Sequence, residues 1–100
     1  MITAEERAKL TKDAQTSIKL ELTKLTKLVL EEIDKSITHR TEKGEWHVRV
    51  NAIIIARNII ELHRSALTAN EVQNSVIAAL REIGYDAYIT QALLHIEWSR

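Results

Sequence analysis

Residues 10–37 read LTKDAQTSIKLELTKLTKLVLEEIDKSI, and this stretch decides how the rest of the chain is arranged. Apolar residues recur in it at steps of three or four, which keeps them on one face of an α-helix. Upstream, Thr3 followed by Glu6 forms a capping box, a common helix start. The pattern predicts one helix over residues 3–39, with an apolar stripe made of Leu10, Ala14, Ile18, Leu22, Leu25, Val29, Ile33 and Ile37.

This predicted helix is longer than a domain of the chain's size can cover. A helix over residues 3–39 is about 55 Å long, whereas a compact domain of 100 residues has a radius of gyration of about 13 Å. Because the stripe extends back to Leu10, the overhanging part exposes apolar surface unless another helix covers it. The expected partner is a second copy of the chain or another protein. The predicted partner-binding residues are Leu10, Ala14, Ile18, Leu22 and Leu25.

After Gly44, apolar and polar residues alternate. The alternation predicts a strand over residues 45–50, followed by a helix over residues 52–67 that Asn51 caps. The apolar residues of both segments also step by three and four, so an alternative is a helix that begins near Glu45, with no strand. We favour the strand, because β-branched and aromatic residues directly after glycine are a poor helix start.

A second capping box, Thr68 with Glu71, predicts a helix over residues 69–83. The alternating runs that follow predict a C-terminal hairpin with strands over residues 85–89 and 94–98. An isolated hairpin is marginally stable in water, so the strand at 45–50 is expected to join it and the helices to cover it.

The predicted fold class is therefore α+β, in the order α-β-α-α-β-β. A long N-terminal helix precedes a three-stranded antiparallel sheet that packs on two further helices. The chain is expected to form a single domain over residues 1–100. Within it, residues 1–43 are an extended helical arm and residues 44–100 are the compact part.

Composition excludes several classes of protein. The 14 basic and 14 acidic residues balance, so no net field attracts nucleic acid or an anionic membrane. The absence of cysteine excludes disulfides and thiolate metal sites. The longest apolar runs are far shorter than the ~20 residues that span a bilayer, and the N-terminus has no visible signal peptide.

The four histidines do not have the spacing of metal ligands, so neither a metal nor a cofactor is expected. His47 and His95 are expected to face each other in a polar cluster with Arg49 and Glu97 on the outer side of the sheet. His63, at the edge of the apolar stripe of the second helix, is expected to be a capped or half-buried histidine and not a catalyst. The fourth histidine is His39.

Catalytic groups are not expected either. The serines at positions 17, 36, 65 and 75 fall in predicted helices, which are poor settings for an activated nucleophile. The carboxylate pairs at positions 5 and 6 and at 31 and 32 lie on solvated helix faces. The sequence therefore predicts a protein that is not an enzyme.

Nucleic acid, a membrane and a small molecule are not expected as partners. Single-strand binding needs exposed aromatic residues, but Trp46 and Trp98 fall in the inward register of their strands. Arg57 and Arg64 lie seven residues apart on the second predicted helix and form only a small basic strip.

The segment from Leu80 through Gly84-Tyr85 to Leu94-x-Ile96-x-Trp98 resembles the ending of many small tailed-bacteriophage proteins. In those proteins a helix leads through Gly-Tyr into a closing hairpin. The resemblance covers about half of the chain and implies a virion or accessory component; these proteins share no catalytic motif, so it assigns no functional residues.

The leading hypothesis is therefore a non-enzymatic phage structural or accessory protein. It would act through self-assembly, or through docking to a partner, by its long N-terminal helix. The alternative is a small regulatory or anti-defence protein that binds a host protein, nucleic acid or a small signalling molecule. The expected location is the host cytoplasm or the virion.

Overall fold

A computed structural model describes residues 1–98 and confirms the predicted order of elements. A long N-terminal helix is followed by a strand, two shorter helices and a hairpin. The elements are α1 (Ala4–Glu42), β1 (His47–Val50), α2 (Ala52–Leu62), α3 (Ala69–Glu82), β2 (Asp86–Thr90) and β3 (Leu93–Glu97).

Helix α1 is continuous over 39 residues. At its start, the Thr3 hydroxyl accepts a hydrogen bond of 3.2 Å from the backbone N–H of Glu6, as the capping box predicts. At its end, Gly44 adopts a positive φ of 78°, which glycine tolerates and other residues avoid. The helix therefore runs three residues beyond the predicted end at residue 39.

The three strands form one antiparallel sheet in the order β1-β3-β2. On one face of the sheet, Leu94 and Ile96 of the central strand are fully buried. Beside them lie Val48 and Val50 from β1 and Ala87 from β2. Helices α1 and α3 pack against the sheet, and α2 packs on both of them. Helices α1 and α3 add Leu25, Val29, Ile33, Val72, Val76 and Leu80 to the core, and α2 adds Ala52 and Ala56.

Two polar contacts fix α3 in this arrangement. The Thr26 hydroxyl of α1 donates a hydrogen bond of 2.9 Å to the Ser75 hydroxyl of α3, so both polar groups are satisfied within the packing. The Arg81 Nε donates to the Ala87 carbonyl at 3.0 Å and connects the end of α3 to β2.

The predicted end of the second helix is wrong. Helix α2 ends at Leu62 instead of residue 67, and Arg64 has a positive φ of 50°. The turn brings Leu67 into the core, where it is 9% exposed, and lets Thr68 cap α3. Burial of Leu67 therefore overrides the helical periodicity of the segment.

The predicted start of the first strand is also wrong. Strand β1 begins at His47 and not at residue 45, and the alternative helix beginning near Glu45 is wrong. Trp46 is in the inward register but lies before the paired strand, and it is 60% exposed instead of buried. Trp98 is half-buried, with its ring edge-to-face against Tyr85 at 6.2 Å.

The molecule measures 62 × 27 × 23 Å. Its radius of gyration is 16.7 Å, whereas a compact chain of this length has about 13 Å. Helix α1 accounts for the difference, because its N-terminal half projects from the folded part. No helix within residues 1–98 is long and apolar enough to cross a membrane.

Candidate interaction surface

The projecting half of α1 is the principal candidate surface. Every residue from 1 to 20 is exposed, and Leu22 is the first apolar residue of α1 that packs against the core. We call residues 4–21 the free arm and residues 22–98 the head. At ~1.5 Å per residue the free arm is about 27 Å long.

The structure separates the five predicted partner-binding residues into three groups. Leu10 and Ile18 are 57% and 52% exposed on the free arm, and Ala14 is exposed between them. Leu22 is half-buried at the junction with the head. Leu25 is 1% exposed within the core, so its own chain already covers it.

The assignment of Leu25 to a partner contact is therefore wrong. Periodicity identifies which face of a helix is apolar, but it does not show where along that face the chain's own core ends. We call Leu10, Ala14 and Ile18 the arm stripe.

Two charged residues lie in line with the arm stripe. Arg7, Ala14 and Glu21 are seven residues apart, so successive members of this series are displaced by only about 20° around the helix. Within residues 1–98, neither Arg7 nor Glu21 forms a salt bridge. The stripe thus has a positive charge near its N-terminal end and a negative charge near the head.

The free arm is a weak helix in its own right. Thr11, Thr16 and Ser17 have low helix propensity, and the Thr16 hydroxyl donates a hydrogen bond to the Lys12 carbonyl at 3.0 Å. An isolated helix of this length is marginal in water. The arm continues a helix that the head stabilises, and contact with a partner would stabilise it further.

A cleft of about 330 Å³ lies between α1 and α2 within the head. Leu28 lines it from α1, and Ile55, Ile59 and Leu62 line it from α2. His63 lies at its edge as the C-cap of α2 and is exposed, so of the two expected settings the half-buried one is wrong. Leu28 follows Glu21 by seven residues, so the cleft is on the same side of α1 as the arm stripe.

The outer face of the sheet carries the predicted polar cluster. His47 lies opposite Glu97, and His95 lies between Arg49 and Tyr88. The two histidines are therefore diagonal neighbours and do not face each other, which corrects the expected pairing.

Tyr88 organises one side of this cluster. Its ring stacks on His95 with centroids 5.0 Å apart, and its hydroxyl donates a hydrogen bond of 3.1 Å to Glu97 Oε1. The hydrogen bond to Glu97, followed by desolvation, raises the pKa of Tyr88 above its ordinary value. The contacts are those of a cross-strand polar face.

The remaining polar residues do not converge. Within residues 1–98, no group of three or more His, Asp or Glu side chains could hold a metal ion. Arg64 lies beyond the end of α2, so Arg57 and Arg64 do not form the basic strip that the longer predicted helix implied. Trp46 is an exposed aromatic residue that the sequence pattern missed, because alternation alone does not show where helices cover a sheet.

Comparison with protein-family models, with curated proteins and with solved structures finds no match for this chain. The resemblance of the C-terminal half to phage proteins therefore stays a prediction. The free arm is the most distinctive part of the surface of residues 1–98.

Proposed function

We propose that this protein is a non-enzymatic assembly protein whose free arm docks along a helix of another protein subunit. One observation supports the proposal: Leu10 and Ile18 are each more than half exposed on a helix that the head does not cover. Apolar residues at helical spacing on an unpartnered helix face are typical of helix-to-helix docking.

The apolar gain from covering the Leu10 and Ile18 side chains is modest, so docking also needs contacts along the rest of the arm. Complete burial of an exposed Leu or Ile side chain contributes ~1.5–3 kcal/mol. Covering the exposed half of Leu10 and of Ile18 would therefore contribute about 2 kcal/mol in total. Ala14 between them is small, so the backbone of a partner helix can approach closely.

The more specific proposal is a phage structural or accessory protein, located in the virion or in the host cytoplasm. It is supported by the sequence pattern of Gly84-Tyr85, which follow α3, and Leu94-x-Ile96-x-Trp98, whose first two members lie in β3. Mass spectrometry of purified particles tests it. A stoichiometric amount in particles favours a virion component, and presence only in the cell extract favours an accessory role.

Docking through the arm can be tested by photo-crosslinking in the cells that produce the protein. A benzoylphenylalanine at Ala14 lies on the arm stripe, and the same residue at Thr16 lies on the opposite side of the exposed arm. We expect protein adducts at position 14 and few at position 16. Equal yields at both positions, or no adduct at either, would contradict the proposal.

A further inference from the structure

The residues of the free arm are arranged symmetrically about Ala14, and this arrangement indicates what the arm binds. Leu10 and Ile18 lie four residues before and after Ala14, and Arg7 and Glu21 lie seven residues before and after it. Reversing the direction of the helix about Ala14 therefore exchanges an apolar residue with an apolar residue and a cation with an anion. A surface that complements itself on reversal is the requirement for a twofold dimer contact.

We propose that the free arm pairs antiparallel with the free arm of a second copy, with Ala14 on the twofold axis. This inference rests on the proposed docking function and names its partner. In this register Leu10 lies level with Ile18 of the second copy, as in the mixed core layers of antiparallel coiled coils. Arg7 lies level with Glu21 of the second copy. At the other end of the contact, Glu21 lies level with Arg7 of the second copy.

The charges select this direction over the parallel one. In a parallel pair each core residue meets its own copy, so Arg7 would face Arg7 and Glu21 would face Glu21. Like charges across a helix contact are destabilising, whereas the antiparallel pair has opposite charges at both ends. Both residues lack a salt bridge within residues 1–98 and are available for this contact.

The position of the head favours the same direction. Helix α2 packs on the side of α1 that the arm stripe faces, because Leu28 in the α1–α2 cleft continues the line of Arg7, Ala14 and Glu21. Two parallel arms would bring both heads to one end with their α2 helices on the contact side. Antiparallel arms place the heads at opposite ends.

The length of the arm also fits this register. With Ala14 on the axis, Arg7 of one copy reaches Glu21 of the other, which is the last residue before the head. At the edge of the contact, Glu6 and Lys24 are eighteen residues apart and occupy the same angular position after five turns. They lie on the flanks that meet in the antiparallel pair, so they add a further opposite-charge contact.

The contact is small, so a reversible dimer is expected. Stable interfaces generally bury ~1,200–2,000 Å² in total, and two short arms that meet along one stripe lie at or below that lower limit. We expect dissociation of the full-length protein within the micromolar concentration range, visible by sedimentation velocity.

Charge reversal tests the pairing. Arg7→Glu and Glu21→Arg each place like charges at both ends of the antiparallel contact, and each is expected to weaken the dimer by about tenfold. The double variant R7E/E21R restores opposite charges and is expected to dimerise like the wild type. Lys9→Glu, on the far side of the exposed arm, is the matched control and should have no effect.

A second measurement reports the direction directly. The chain has no cysteine, so Leu10→Cys and Ile18→Cys are unique labels. We expect a disulfide between the two variants when they are mixed and little crosslinking of either variant alone. Self-crosslinking of each variant alone, without a mixed product, would show a parallel pair and overturn the inference.

Different results would contradict self-pairing of the arm and docking of the arm on another protein. A wild-type protein that is monomeric at high micromolar concentration, or single charge reversals that leave the dimer unchanged, would overturn self-pairing. The photo-crosslinker at position 14 would then still give adducts if the arm docks on a different protein. Adducts with a different protein alone would retain the docking function and remove the second copy as its partner.

Discussion

Tyr88 connects the two strands of the hairpin on the face that the helices do not cover. Its hydroxyl donates to Glu97 at 3.1 Å while its ring stacks on His95, so it contacts two residues of the central strand at once. Cross-strand pairs of this kind stabilise the pairing of neighbouring strands. They give an exposed sheet face some fixed structure without an apolar layer above it.

Replacement of Glu97 by Gln should lower the pKa of Tyr88 towards its ordinary value of 10.0, because the charged acceptor of its hydrogen bond is removed. Tyrosinate absorbance against pH measures the change, and Tyr88→Phe distinguishes the signal from that of Tyr85. Glu82→Gln, on α3, is the control and should leave the titration unchanged.

The hydrogen bond between Tyr88 and Glu97 also makes the free energy of unfolding depend on pH. Because the pKa of Tyr88 is raised in the folded state, its contribution is complete below pH 10.0 and is lost as the pH rises through the folded-state pKa. The free energy of unfolding should therefore fall less steeply above pH 10.0 in the Glu97→Gln variant. An identical slope in both proteins would contradict the role of this hydrogen bond.

At the scale of elements, the turn between β2 and β3 is formed by residues that do not favour its backbone conformation. Gln91 and Ala92 have positive φ values of 53° and 66°, as a two-residue type I′ turn requires. A side chain with a Cβ in this region costs about 1 kcal/mol, and Asn-Gly is the usual solution. The hairpin forms because the residues on either side of the turn pair and pack.

Replacing Gln91-Ala92 by Asn-Gly should raise the free energy of unfolding by about 1 kcal/mol, because it relieves the left-handed strain. Urea unfolding measures the change. The matched control is Ala78→Gly at an exposed position of α3, where the same loss of a methyl group should lower stability by about 1 kcal/mol. A destabilised turn variant would show that the turn is not of this type.

Local signals explain which elements could be predicted from the sequence. The two capping boxes and the long periodicity of α1 are formed by residues near one another in the chain, and both helix starts are confirmed. The end of α2 has no such signal: neither glycine nor proline lies between Leu62 and Thr68, and burial of Leu67 decides the turn. Likewise, Leu10 and Leu25 share one apolar pattern, and only the packed structure shows that one is exposed and the other covered.

At the scale of the whole molecule, the head has its own core and the free arm contributes nothing to it. Core side chains begin at Leu25 and come from all six elements. All of residues 1–20 are exposed. The head is therefore expected to fold without the arm, although the arm is expected to be poorly helical without the head.

Deletion of residues 1–20 should change the free energy of unfolding by no more than about 1 kcal/mol, the size of a lost helix cap. Urea unfolding at a concentration where the full chain is monomeric measures this effect. Leu25→Ala in the full chain is the contrast and should cost about 3 kcal/mol, because it leaves a cavity in the core. Unfolding of the deleted protein would show that the arm supports the head.

Helix α1 passes from the arm into the core without a glycine or a proline, since the chain has no proline and its two glycines lie outside the helix. When a partner stabilises the arm, α1 is a continuous helix of about 58 Å without a glycine or proline at which it would bend. A partner that binds the arm therefore sets both the distance and the orientation of the sheet relative to the binding surface. A displacement of the bound arm would therefore move the sheet with it.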